Sequence, residues 1–198
     1  MPSPIGHALA GVAVAWAADL VPGDRAWRLA PGTASWRERA GNGLTLLCAG
    51  LAAAPDLDLA FVAHRTMTHS LVAVAFVAVV AAIVAASTGR PVVRITLMCA
   101  GAYGSHLLMD WLGVDLYPPR GIQLLWPFSQ EWYISDADIF RQTARLRIFT
   151  RGPMMTNVRA VLQEFAILGP TLVALWLVRV KALARLAPEM SGRHHPAE

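Results

Sequence analysis

The chain has 198 residues, 56% of them hydrophobic and 15% charged, with a net charge of +4. A soluble domain carries about 25% charged residues, so the composition argues against a water-facing globule, and the length leaves room for one domain. Sixteen of the 17 basic residues are arginines, scattered without a dense run or a nucleic-acid motif, so they read as arginines flanking membrane segments and no nucleic-acid partner is expected.

Five stretches are apolar enough to be considered as spanning helices, which need about 20 residues: 5–21, 43–62, 71–88, 92–113 and 163–180. No Lys or Arg precedes the first, so it reads as a retained helix and not as a secretory signal. The connection 22–42 holds Arg25, Arg28, Arg37 and Arg39 with two tryptophans, as an interfacial loop would. Cys48 and Cys99 lie in apolar stretches without a CxxC partner and read as small core residues. The third stretch has no charge at all, and the fifth carries Gly169-Pro170, which a membrane bundle tolerates. Residues 114–162 are mixed in character. They read as an interfacial segment covering one membrane face, with an amphipathic helix expected near 139–150. Residues 186–198 read as a disordered polar tail. The expected fold is therefore all-α, a polytopic membrane helix bundle forming a single integral membrane domain over 1–185.

The informative residues are the ionisable ones inside or beside these apolar stretches, because each is costly there and marks a functional site by default. Setting aside His194 and His195 in the tail, they are His7, His64, His69 and His106 with Asp56, Asp58 and Asp110. If the N-terminus defines one side of the membrane, alternating helices bring all seven to that side. His7 opens the first helix, Asp56 and Asp58 close the second, His64 and His69 bracket the turn into the third, and His106 and Asp110 end the fourth. His106 and Asp110 are an i, i+4 pair on one helix face. Pro55 marks a break at which the two carboxylates sit, and Thr68 or Ser70 can cap the third helix. Imidazole with carboxylate suits zinc, manganese or iron better than calcium, so a divalent metal is expected, zinc first and manganese second. Bland alternatives stand beside each assignment: a metal-free buried pair for His106 and Asp110, helix capping for Asp56 and Asp58, and solvated or interfacial imidazoles for His64 and His7.

Five runs occur in order: Pro4-Ile-Gly-His7-Ala-Leu-Ala-Gly11, Pro55-Asp-Leu-Asp58, His64-Arg-Thr-Met-Thr-His-Ser-Leu71, Gly104-Ser-His-Leu-Leu-Met-Asp110 and Gly121-Ile-Gln-Leu-Leu-Trp-Pro-Phe-Ser129. Together they resemble the YdjM/YbcI family, bacterial inner-membrane proteins described as LexA-regulated, metal-dependent hydrolases. The resemblance covers residues 4 to about 140 and implies a multi-pass inner-membrane protein with an embedded metal site. A weaker similarity is to zinc-dependent phospholipases C, with His7, Asp56, His69, His106 and Asp110 in the places of their ligands. The downstream ligands of that family are missing here.

The function expected is a metal-dependent hydrolase acting at the membrane surface on a phosphoester such as a lipid headgroup, so that membrane lipid is its partner. Asp58 or Asp110 would take a proton from water, and Arg65, inside the 64–69 turn, would pair with a phosphate; Arg120 is a second candidate. The alternative class is a non-catalytic membrane protein with a structural or transported metal, for which ligands near the bilayer midplane would be usual. The side assignment has a direct test. Thr66→Cys and Gln123→Cys are expected to react with an impermeant thiol reagent from one side of the membrane and Ser35→Cys from the other; labelling of positions 35 and 66 from the same side would break the topology.

Overall fold

The computed structural model describes residues 1–20, 40–60 and 64–186. The expected interfacial loop at 22–42 and the tail expected at 186–198 fall almost wholly outside the described residues. Among those described, five α-helices occur: α1 (Pro4–Ala18), α2 (Gly43–Ala53), α3 (Leu71–Ser87), α4 (Val92–Trp111) and α5 (Arg151–Leu186). Tight 3-10 turns at Ala54–Ala60 and Met67–His69 separate α2 from α3. No strand longer than an isolated bridge is present among the described residues.

Each start has a local cause. The Ser3 hydroxyl accepts from the Gly6 amide, and Pro4 takes the first helical position, where its missing N–H costs nothing. Asn42 and Thr45 form a reciprocal capping box for α2. Of the two capping candidates for α3, Ser70 is the cap, its Oγ 3.2 Å from the Ala73 amide. Pro55 cannot supply the N–H that would continue α2, so the chain tightens into the 3-10 turn that carries Asp56 and Asp58. The second helix is consequently 11 residues long, shorter than its apolar stretch.

Helix α1 packs against α2, α4 and α5, while α4 also meets α2 and α3. Contacts at both ends of α1 fix the directions. His7 lies 3.4 Å from Asp110 and Asp19 lies 3.4 Å from Arg94, so α4 runs antiparallel to α1. The Ser3 amide lies 2.6 Å from Glu164 and Asp19 lies 2.7 Å from Arg179, so α5 runs parallel to α1, with about 23 Å between the two contacts at 1.5 Å rise per residue. The core between α1, α2, α3 and α4 is built from small side chains, among them Ala15, Cys48, Ala81, Cys99 and Ala102. Both cysteines are buried and free.

The outer faces are apolar. Phe76, Val79, Val80 and Ile83 on α3 and Leu162, Phe165, Val173 and Leu177 on α5 are exposed, an amount of apolar surface that water-soluble monomers rarely carry. Helices α4 and α5 are long and apolar enough to cross a membrane, whereas α1 and α3 are apolar but shorter. The all-helical expectation therefore holds, while only two of the five expected spans have that length.

The mixed segment differs from its expectation. No helix forms at 139–150, and α5 starts at Arg151, twelve residues before the expected fifth stretch. The backbone of 139–144 bonds elsewhere instead: Ile139 N to Leu112 O, Val114 N to Phe140 O, Thr143 N to Met1 O, and the Arg141 and Ala144 amides to side chains of α5. Tertiary partners thus satisfy the groups that a helix would have paired.

The tightest helix contact is at Gly11, where an added Cβ would overlap the Cys48 carbonyl and lie 2.8 Å from the Ala52 Cβ. Gly11→Val is expected to destabilise the detergent-solubilised protein by about 2 kcal/mol or more through overpacking. Gly50→Ala, which meets nothing within 4 Å, is expected to be neutral or stabilising. Thermal unfolding of the two variants side by side is the measurement; equal melting temperatures would contradict the packing.

Candidate metal centre

All seven residues singled out in the sequence come together at one end of the bundle. His7 enters from the first turn of α1, Asp56 and Asp58 from the 3-10 turn after α2, His64 and His69 from the turn before α3, and His106 and Asp110 from the last turns of α4. His7, His69, His106 and Asp110 are fully buried.

Three imidazoles point their Nε2 atoms at the same place. From Asp110, His7 Nε2 is 3.4 Å away, His69 Nε2 3.4 Å and His106 Nε2 3.3 Å. His69 Nε2 and His106 Nε2 are 3.0 Å apart. Asp56 closes the group at 3.8 Å from His106, 3.9 Å from His69 and 4.0 Å from His7. Ligands about 2.05 Å from a tetrahedral zinc lie about 3.3 Å from one another, so these separations suit a cation at the centre.

Two sets of ligand atoms are close enough to hold a metal ion: His7, His106 and Asp110, and Asp56, His64 and His69. The polar accounting agrees. Both ring nitrogens of His7 and both carboxylate oxygens of Asp110 are buried with no hydrogen-bond partner. Such groups normally have a donor, an acceptor or an ion. The residues present therefore fit a divalent cation.

The far side of the rings is arranged to suit. His106 Nδ1 lies 2.7 Å from the Ala52 carbonyl, which fixes that nitrogen as donor and leaves Nε2 a lone pair. His69 Nδ1 lies 2.9 Å from Thr68 Oγ1 and 3.2 Å from Asp58, which likewise turns its Nε2 inward. His7 and His106 stack with centroids 3.7 Å apart. Asp58 is a hub behind the cluster, since it also meets His64 Nδ1, Thr68 Oγ1 and the Arg65 amide. Burial pushes its carboxyl up, but the bonds from His64, His69 and Thr68 outweigh this and hold it well below the usual carboxylate range.

Arg65 sits at positive φ with its guanidinium paired to Asp115 and laid over the Trp132 ring. Asp115 also accepts from the Gly121 and Tyr117 amides. This arrangement braces the 64–70 turn against the 113–133 segment and favours a structural duty for Arg65 over the expected phosphate contact. Arg120, the second phosphate candidate, pairs with Asp136 at the surface.

Two supporting acids escaped the sequence reading. Asp115 lies in an irregular segment fifty residues from its partner Arg65, so no local pattern marks it. Glu164 was detectable as an ionisable residue in an apolar run. It is fully buried on α5 and accepts from the Ser3 amide and hydroxyl, so it holds the N-terminus of α1 just before His7. A Cβ on Gly6 would lie 2.6 Å from that carboxyl, and only glycine leaves it room.

A family model described as YdjM inner membrane protein matches residues 1–185. The chain belongs to the YdjM inner membrane protein family. Neither a curated protein nor a solved structure matches it significantly. Membership of the YdjM family and the two long apolar helices place the protein in a membrane.

Purified YdjM-family protein from this sequence is expected to carry divalent metal, and Asp110→Ala and His106→Ala to lose most of it. Asp58→Asn acts one layer out and is expected to weaken metal affinity about 10–100-fold without abolishing binding. Elemental analysis with a chelator competition titration distinguishes the two layers. Full occupancy in Asp110→Ala would move the site elsewhere.

Proposed function

We propose that the protein is a membrane-embedded, metal-dependent hydrolase of phosphoesters, with a bundle of apolar helices crossing the inner membrane more than once and the metal centre at one membrane face. The observation that carries this reading is the convergence of three imidazole Nε2 atoms and two carboxylates on one point, with the rear nitrogens of His69 and His106 already tied. A preorganised site costs little to fill. Zinc, with manganese second, suits the nitrogen and oxygen donor set. When bound, such an ion polarises a phosphoryl oxygen and lowers the pKa of water.

The chain's own residues divide the remaining work. His7, His69, His106 and Asp110, all fully buried, would hold the ion from the dry side. Asp56 also lines a cavity, so a metal held there would be reachable by water and substrate from that side. His64 is bonded through Nδ1 to Asp58, while its Nε2 has no partner. That dyad can hold or deliver a proton at His64 Nε2, with Asp58 fixing the tautomer and not acting as base itself. The position of the cluster at the end of the helices, where phosphate headgroups lie, favours an enzyme over a carrier, which would place its site near mid-bilayer.

Metal-loaded protein in mixed micelles is expected to release phosphate or a phosphorylated headgroup from a phosphoester panel. Chelation should abolish the activity and metal should restore it. His106→Ala is expected to be inactive, and His64→Gln to lose roughly 100-fold or more in kcat with metal retained, in keeping with loss of a general acid or base. Metal-loaded wild-type protein that cleaves nothing across lipid and nucleotide phosphoesters would remove the hydrolase reading in favour of a structural or transported metal.

A further inference from the structure

A cavity of about 850 Å³ opens beside the metal centre and has Asp56 in its wall. That is the size of an ordinary small-molecule site. Its other walls are mostly apolar: Ile5 from α1, Leu59 from the 3-10 turn, Tyr117 and Ile148 from the mixed segment, and Val161 from α5. One cation lines it, Arg145.

Arg145 has no carboxylate partner among the described residues. Its guanidinium meets only the Met1 sulfur, at 3.0 Å, and a thioether is a weak acceptor. Its backbone is nevertheless held in place. The preceding Ala144 is bonded at both N–H and C=O to the Asn157 side chain of α5, and the Thr143 amide bonds to Met1 O at 3.0 Å. A half-buried guanidinium on a pinned segment, lining a mostly apolar cavity, is arranged to receive an anion.

The rim shows where that anion comes from. Leu146 and Phe149 are 82% and 94% exposed, and they alternate with Arg145, Arg147 and Arg151. Exposed apolar side chains interleaved with arginines suit the boundary between headgroups and acyl chains. A cavity bordered by such a segment suits a ligand that arrives from the headgroup region.

We infer that this cavity is the substrate cleft for a lipid phosphoester, with Arg145 binding the phosphate beside Asp56 and the apolar walls taking the first part of an acyl chain. The inference rests on the hydrolase reading for its chemistry, but its test is a binding measurement. Arg145, and not Arg65, is then the phosphate-recognition residue, and the cleft selects for a tail attached to the phosphate.

Full-length, metal-loaded protein in a neutral sugar detergent is titrated with dodecylphosphonate and with methylphosphonate, neither of which has a phosphoester bond to cleave. Binding is followed by phosphorus NMR. Dodecylphosphonate is expected to bind at least about tenfold more tightly, since each buried methylene adds affinity. Arg145→Ala is expected to weaken that binding about tenfold or more, with metal content and melting temperature unchanged, and Arg145→Lys to recover part of it. Val161→Trp, which fills the cleft, should abolish the advantage of the long chain; if it fails to fold, the Arg145 pair still decides. Equal affinities for the two phosphonates, or an Arg145→Ala variant that binds dodecylphosphonate like wild type, would overturn the assignment even in an active hydrolase. Arg145-dependent dodecylphosphonate binding by a protein that turns over no phosphoester would leave the cleft standing and remove the hydrolase reading.

Discussion

The structure depends on a carboxylate with no donor. Asp110 is fully buried at the end of α4, and neither oxygen has a hydrogen-bond partner. Isolated in a low-dielectric interior, such a charge costs several kcal/mol. Three imidazole nitrogens surround it at 3.3–3.4 Å, yet two of them are lone pairs by virtue of what their rings bond behind. Acceptors facing acceptors repel unless positive charge lies between them. A divalent cation would resolve the conflict, and four separate chain segments are held against one another around the point where it would sit.

That arrangement explains the layers outside it. The Ala52 carbonyl is free to accept from His106 because Pro55 ends α2 just there, so a single proline both positions the Asp56–Asp58 turn and helps orient a ring on another helix. Asp58 ties His64, His69, Thr68 and the Arg65 amide into one unit, and the Tyr103 hydroxyl bonds to the Thr68 carbonyl at 2.7 Å, which docks that unit on α4. Glu164 does the same for α1. Its carboxylate at the start of that helix meets Ser3 and opposes the positive end of the helix dipole, one turn before His7. The long helix α5 contributes nothing to the seven-residue cluster, yet it clamps α1 at both ends through Glu164 and Arg179.

Polarity is distributed to match a membrane. Small residues fill the core between helices, large apolar ones face outward on α3 and α5, and ionisable groups gather at the two ends of α1. Without a hydrophobic drive between helices in lipid, close approach at Gly11 and paired polar groups at the ends hold the bundle. The mixed segment closes the metal end by bonding its backbone to Met1, to the end of α4 and to side chains of α5 in place of forming its own helix.

Much of this was legible in the linear chain. Apolar runs and caps locate the starts of α1 to α4 to within one residue, because helix starts are set locally. The alternation of helix direction was enough to put His7, Asp56, Asp58, His64, His69, His106 and Asp110 at one end. The length of α5 was not legible, since its first twelve residues are too polar to register as an apolar span. The absent helix at 139–150 was not legible either, because its backbone partners lie on distant elements. The sequence by itself determined which ionisable residues gather at one end of the bundle, for that follows from periodicity and connectivity. Only the tertiary structure decided their separate duties: that Asp58 stands behind His69 and His64, that Arg65 is held by Asp115, and that Glu164 anchors α1. Those duties depend on which face of each side chain meets which neighbour, between adjacent turns for Asp58 and across 50 residues or more for Arg65 and Glu164, and spacing along the chain carries no information about that.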